Sequence, residues 1–188
     1  MSTISVRLFG RFEICSDEQP VVPFHCQKAL ELFCFLLLYR NQSHSREKLA
    51  EIFWGSRCTA ESKKYFRKTL WQLQTELESF HDRDDSSLII VEQDWLSLNM
   101  NGNVWLDVLE FEHLINQIEG RQGQEFDQGC FDAARRAEQC YRGDLLEGWY
   151  EDWCIFERER LKDSYFALVD KLMAYCEANS IYECGIHY

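Results

Sequence analysis

Residues 60–79 read AESKKYFRKTLWQLQTELES, a stretch with no Gly or Pro that carries one apolar row and one basic row. Phe66, Leu70, Leu73 and Leu77 are spaced four, three and four residues apart. At about 100° per residue they fall within ~60° of arc, which predicts a helix with a single buried stripe. Lys64, Lys68, Trp71, Gln72 and Thr75 then lie on the far side, with Lys63 and Arg67 beside them. Two features of that face point to phosphate: its density of cations, and a large aromatic, Trp71, that is unusual on a merely solvated helix. The helix alone does not decide the matter. Lys-rich faces are common on surfaces, and Trp71 folded back into the core would explain the same residues.

Upstream, residues 27–39 show helical periodicity through Ala29, Leu32, Phe33, Leu36 and Leu37. NQSHS breaks that pattern, and Ser45 is a good N-cap for a second helix, Arg46 to Phe53, expected to bury Leu49, Ile52 and Phe53. GSRCT is the loop before the 60–79 helix, and the polar HDRDDSS follows it. Leu88–Val91 and Trp95–Leu98 read as strands joined by the tight turn Glu92-Gln93-Asp94. At the N-terminus, Ile4–Phe9 alternates apolar and polar residues and Gly10 ends it. Phe12–Cys15, the turn SDEQP and Val21–Phe24 complete a small antiparallel sheet. Helix, helix, longer helix, hairpin is the order of a winged helix-turn-helix. Its third helix is narrow enough for the major groove, where an exposed face must carry donors for phosphates and base edges.

Beyond Asn101-Gly102-Asn103, a candidate linker, everything reads as helix: Val108–Ile118, Phe131–Tyr141 and Trp149–Glu177, the last two separated by RGDLLEG. Apolar repeats run through Leu109, Phe111, Leu114, Ile115 and Ile118, then through Phe156, Leu161, Tyr165, Leu168, Leu172 and Tyr175. The predicted architecture is therefore α+β: a winged-helix domain over residues 1–100 and an all-α domain over 104–188.

Composition narrows the function classes. The net charge is −12, but residues 1–100 carry 12 Lys+Arg against 14 Asp+Glu, and residues 101–188 carry 8 against 18. The acidity lies in the second half, and local field rather than total charge governs phosphate binding. No apolar run reaches the ~18 residues of a membrane span, and MSTISVRLFG does not read as a signal peptide, so a cytoplasmic protein without a membrane partner is expected. The nine cysteines include no CxxC, and the one adjacent pair, His25-Cys26, has no companion ligands. They read as reduced thiols, several in apolar helical stretches, and no metal or cofactor is expected. No Gly-rich phosphate loop, GxSxG or HExxH occurs. Asp144 and Glu147 in GDLLEG are the usual caps or solvated acids of a turn, so an enzyme is not expected.

Taken together, "ISVRLFGRFEI" and "QKALELFCFLLLYRNQSHSREKLAEIFW" resemble the opening of the SARP-type bacterial transcriptional activators, which pair an OmpR-like winged helix with a helical, TPR-like bacterial transcriptional activator domain. The resemblance includes Ser45, Arg46, Glu47, Leu49, Ala50, Glu51 and Trp54, then Phe66, Arg67, Leu70 and Leu73. In the second half it rests on "CYRGDLLEGWYEDWCIFERERL". It implies sequence-specific binding of double-stranded DNA, activation, and RNA polymerase as a partner. Arg46, Lys63, Lys64, Arg67, Lys68, Trp71 and Gln72 are the candidate DNA contacts, and the helical half is the candidate dimer contact. "EANSIYECGIHY" resembles the start of a further TPR-like helix, so continuation past Tyr188 is expected. The chain departs from the pattern at Gln72 and Gln74, where many members carry a late Arg, and in the acidic hairpin turn, which leaves wing contacts open. The alternative is a winged-helix and TPR-like protein-interaction module that does not bind DNA, to which the −12 charge gives weight.

Overall fold

The computed structural model describes residues 4–16, 19–20, 24–55, 59–78, 87–99 and 104–181. Its elements are strands β1 (Ile4–Arg7), β2 (Glu13–Ser16) and β3 (Gln19–Pro20), helix α1 (Gln27–Leu38), strand β4 (His44–Ser45), and helices α2 (Arg46–Trp54) and α3 (Thr59–Glu78). Strands β5 (Ile89–Glu92), β6 (Trp95–Leu98) and β7 (Val104–Leu106) follow, then α4 (Asp107–Gln117), a 3-10 turn at Gly123–Glu125, α5 (Gln128–Cys140) and α6 (Asp152–Ala178). One sheet has the order β3-β2-β1-β7 and the other β4-β6-β5. The chain divides into two compact units, residues 1–5 with 14–104 and residues 6–13 with 105–188.

The expected fold class holds: a winged helix in the first unit and a helical second unit. In the first unit α1 is buried on most sides, through Ala29, Leu32, Phe33, Cys34, Phe35, Leu36 and Leu37. In α2 the buried residues are Leu49, Ala50, Phe53 and Trp54, whereas Ile52, expected inside, is exposed. Ile52 lies about 100° round the helix from Phe53, on the side away from Ala50 and Trp54. β5 and β6 pair with Glu92 opposite Trp95, so the turn is the two residues Gln93-Asp94 rather than three, with Gln93 at φ 52°. His44 and Ser45, read as part of a break, pair with Leu96 and Trp95 and form the third strand of this wing sheet.

In the N-terminal sheet the alternation of Ile4, Val6 and Leu8 is kept, all three fully buried. β2 lies one residue later than expected, and the third strand is Gln19–Pro20, with Cys15 opposite Pro20. Phe24, expected in the strand Val21–Phe24, is outside any strand; residues 21–23, 56–58, 79–86 and 101–103 and the motif at 182–188 lie outside the described residues. Val104–Leu106 is a strand where helix was expected to be the only element.

The second unit is organised around one buried carboxylate. Asp107, at the start of α4, accepts hydrogen bonds from the backbone N–H of Leu8 (2.9 Å to each oxygen), Phe9 (2.9 Å) and Val108 (2.8 Å). Burial pushes the pKa of Asp107 up, while those N–H donors and Arg7 oppose the shift. The segment 6–13 is held from its other side by the RGDLLEG loop. Gly10 N–H donates to Asp144 O (2.9 Å), Leu146 N–H to Leu8 O (2.8 Å) and Glu147 N–H to Gly10 O (2.9 Å). Gly10 sits at φ +80°, where a side chain is strained. Phe9 packs edge-on to Phe111 at 5.3 Å and against Tyr141 at 4.8 Å. Arg158 closes the loop by donating to the carbonyls of Leu145 (2.7 Å), Leu146 (2.8 Å) and Trp149 (2.9 Å). Asp144 accepts from the Tyr141 hydroxyl at 2.9 Å, so this acid is part of the loop's own bonding.

Around this core α4 packs on α5, α5 on α6, and the 3-10 turn on α6. A Cβ on Gly123 would stand 2.1 Å from the Lys171 carbonyl oxygen, so only glycine allows that approach. Leu109 and Phe156, both read as apolar repeat positions, are exposed. They lie about 160° and 140° round their helices from Phe111 and Leu161 respectively. Cys34, Cys130, Cys154 and Cys176 are buried and form no disulfide, and burial pushes the Cys154 pKa up to about 11.

Asp107→Ala leaves the Leu8 and Phe9 amides buried without acceptors and is expected to cost about 2–4 kcal/mol. Urea unfolding checks this, and a loss below ~0.5 kcal/mol, the range of ordinary surface substitutions, would remove the carboxylate from its central role.

Candidate nucleic-acid interface

The rotation of α3 follows from its apolar row. Phe66, Leu70, Leu73 and Leu77 are 0–4% exposed, joined by the buried Ser62 and Thr69. The Ser62 hydroxyl donates to Trp54 O at 2.8 Å, tying the start of α3 to the end of α2. Trp54 meets the Phe66 ring edge-on at 6.2 Å. With that side fixed, Lys63, Lys64, Arg67, Lys68 and Trp71 are all exposed, and Trp71 retains 65% of its surface. Trp71 is therefore not a core residue. Gln72 is half-buried.

Of the seven candidate residues, Arg46 lies on α2, and Lys63, Lys64, Arg67, Lys68, Trp71 and Gln72 separate into three groups round α3. Lys64, Lys68 and Trp71 lie about 140–200° round the helix from Phe66 and form the outward row. Lys63 and Arg67 lie about 60–100° from Phe66, on one flank, and Gln72 about 240°, on the other. The first flank opens on a cleft of about 540 Å³, lined by Arg46, Lys63, Arg67 and the hairpin residues Asp94 and Trp95, with Phe66 below.

Each cation of the cleft is held in place. Arg46 donates to Gln93 O at 3.2 Å, and its guanidinium lies 6.0 Å from the centre of the Phe66 ring. Arg67 Nε donates to Lys63 O at 3.3 Å. Lys63 Nζ pairs with Glu47 Oε1 at 2.8 Å, and this bond and charge hold the Glu47 carboxyl below the usual range. Ser45 occupies the N-cap position of α2, as expected, yet its side chain makes no capping bond. The nearby amide of Arg46 donates instead to Asp94 O at 2.8 Å, because β4 pairs with the hairpin.

Two residues of this arrangement have no place among the sequence candidates. Trp95, 52% exposed, stands on the hairpin face opposite the fully buried Leu96. Strand alternation signals that orientation, but not the cleft it faces. Glu47 was visible only as part of a motif; its partner lies on another helix, and no local pattern announces the pair. Among the described residues no group of three or more His, Cys, Asp or Glu side chains is arranged to hold a metal ion, and no helix is long and apolar enough to cross a membrane.

Neither protein-family models nor curated proteins give a match to this chain. Among solved structures it is similar to Mycobacterium tuberculosis EmbR in complex with a low affinity phosphopeptide, with TM-score 0.72 and 18% identity. The two chains share a fold. The likeness covers 96% of this chain and 48% of the EmbR chain, so this chain spans about half the length of that structure.

Because Lys64, Lys68 and Trp71 make no part of the apolar stripe, each substituted by Ala is expected to change stability by no more than ~0.5 kcal/mol. Thermal unfolding of the three variants checks the helical register, and a large fall in melting temperature for Trp71→Ala would return that ring to the core.

Proposed function

We propose that the chain is a SARP-type transcriptional regulator that binds double-stranded DNA by laying α3 in the major groove. The observation that carries this reading is the outward row of α3: Lys64, Lys68 and the exposed Trp71 face solvent, continued at the flank by Arg67. A winged helix presents this surface to a duplex. Two further findings support this reading. The sequence motifs resemble SARP-type activators, and the chain shares its fold with EmbR.

In this reading Lys64 and Lys68 contact phosphates or base edges, Arg67 contacts a phosphate, and Gln72 offers an amide at the rim of the face, suited to adenine. The protein acts as an activator in the bacterial cytoplasm, with RNA polymerase as a further partner. The second unit is TPR-like and supplies the dimer contact. No catalytic step is assigned to any residue. The alternative, a protein-docking module that does not bind DNA, draws on the net charge of −12 and on Glu92 and Asp94 at the hairpin tip.

A salt titration of binding to duplex DNA separates the two. Each phosphate contact contributes a slope of about −0.9 in log K against log salt. Lys64→Ala and Lys68→Ala are each expected to weaken binding and to flatten the slope by about that amount if they contact phosphate. Arg67→Ala is expected to lose affinity uniformly across sequences. Salt-independent binding, or Lys64→Ala and Lys68→Ala variants that bind as the parent does, favours the docking module.

A further inference from the structure

Placing the outward row of α3 and Arg67 on DNA leaves Arg46, Lys63 and Trp95 of the cleft beside it without a role. Three cations, Arg46, Lys63 and Arg67, converge there with one exposed aromatic, Trp95, and two carboxylates, Glu47 and Asp94. Arg46, held by a backbone carbonyl and a ring face, and Arg67, held by a backbone carbonyl, are preorganised for an anion, since little of their conformational freedom remains to be lost on binding. The volume, about 540 Å³, falls within the ~300–1,000 Å³ of sites that enclose a small ligand. Arg67 belongs to both the cleft and the basic row of α3, so an anion in the cleft lies on a continuous path with anions along that row.

We propose that this cleft is a socket for one backbone phosphate of double-stranded DNA, with the Trp95 ring against the adjoining sugar, and that Glu47 occupies the socket as an internal anion which the phosphate displaces. The proposal rests on the DNA-binding reading above. Glu47 already makes the bond that a phosphate oxygen makes in this role, a charge-assisted contact with Lys63 at 2.8 Å. The pair is exposed on both sides, Lys63 at 50% and Glu47 at 70% of side-chain surface, so exchanging one anion for another costs little. Lys63 held by Glu47 is lost to DNA as a free charge. Glu47 thereby lowers affinity for any duplex while leaving the base-reading row of α3 untouched. Trp95 lies across the cleft, on the hairpin whose turn also fixes Arg46. The acidic turn therefore has a positioning role that its charge alone conceals.

The test uses the full chain, a mixed-sequence 24-base-pair duplex of about two helical turns, and fluorescence anisotropy at several salt concentrations. Glu47→Gln is expected to bind about three- to eightfold more tightly, with the salt slope steeper by about 0.9, one additional phosphate contact. In a Lys63→Ala background the same change is expected to give no gain. Trp95→Ala is expected to weaken binding about threefold or more, the loss of a modest apolar contact, and Trp95→Phe to restore most of it. A Glu47→Gln variant that binds with the parent's affinity and slope overturns the latch while leaving the DNA-binding reading standing. So does a gain that survives without Lys63, and Trp95→Ala binding as the parent removes the sugar contact. No binding of the duplex by parent or variants overturns both readings. A phosphothreonine peptide bound more tightly than the duplex, and lost in Arg46→Ala, overturns the duplex as the occupant.

Discussion

The placement of the four α3 cations, Lys63, Lys64, Arg67 and Lys68, depends on the burial of Phe66, Leu70, Leu73 and Leu77 along one side of that helix. Each such side chain contributes about 2 kcal/mol when removed from water. A helix has only one such row to satisfy, so its rotation is fixed, and Lys64, Lys68 and Trp71 face outward as a consequence rather than by any attraction of their own. The neighbours reinforce the choice. Trp54 presses on Phe66, and Ser62 hydrogen-bonds to Trp54, so a turn of α3 about its axis would break a ring contact and a buried hydrogen bond together.

A different constraint organises the second unit. A buried carboxylate at Asp107 gathers the amides of Leu8, Phe9 and Val108, and the RGDLLEG loop makes three further backbone bonds to Leu8 and Gly10 of the same N-terminal segment. This explains why residues so far apart carry motif-like sequences. Gly10 supplies a backbone conformation closed to side chains, while Gly143 and Gly148, at φ 153° and 84°, shape the loop that meets it. Arg158 then binds three carbonyls of that loop. These residues maintain architecture. A reading that took every matched residue as a functional contact would have misassigned them.

The surface chemistry follows from the same logic of satisfied and unsatisfied groups. In the second unit three acids are engaged by partners within the unit: Asp144 by Tyr141, Glu110 by Arg136, and Glu112 by Arg160. In the first unit Lys64 and Lys68 stand exposed, and Lys63 is engaged by a single surface acid. Total charge is thus a poor guide to what a given face attracts.

The periodicity of residues 60–79 determined the helix, its buried row and its exposed cations, because amphipathic spacing is a local property that one apolar face must satisfy. Strand alternation likewise fixed the inward set Ile4, Val6 and Leu8. The sequence did not disclose that Ile52, Leu109 and Phe156 face solvent, since an apolar residue carries no mark of which neighbour it lacks. It did not disclose β4 or β7, two- and three-residue strands that exist only through a partner. Nor did it reveal that Val6–Glu13 belongs with residues 105–188, because the partner of Leu8 and Phe9 lies about a hundred residues away. The cleft among Arg46, Lys63, Arg67 and Trp95 was equally hidden. Its walls come from two helices and a hairpin, and only tertiary packing brings side chains of different periodicities to one point.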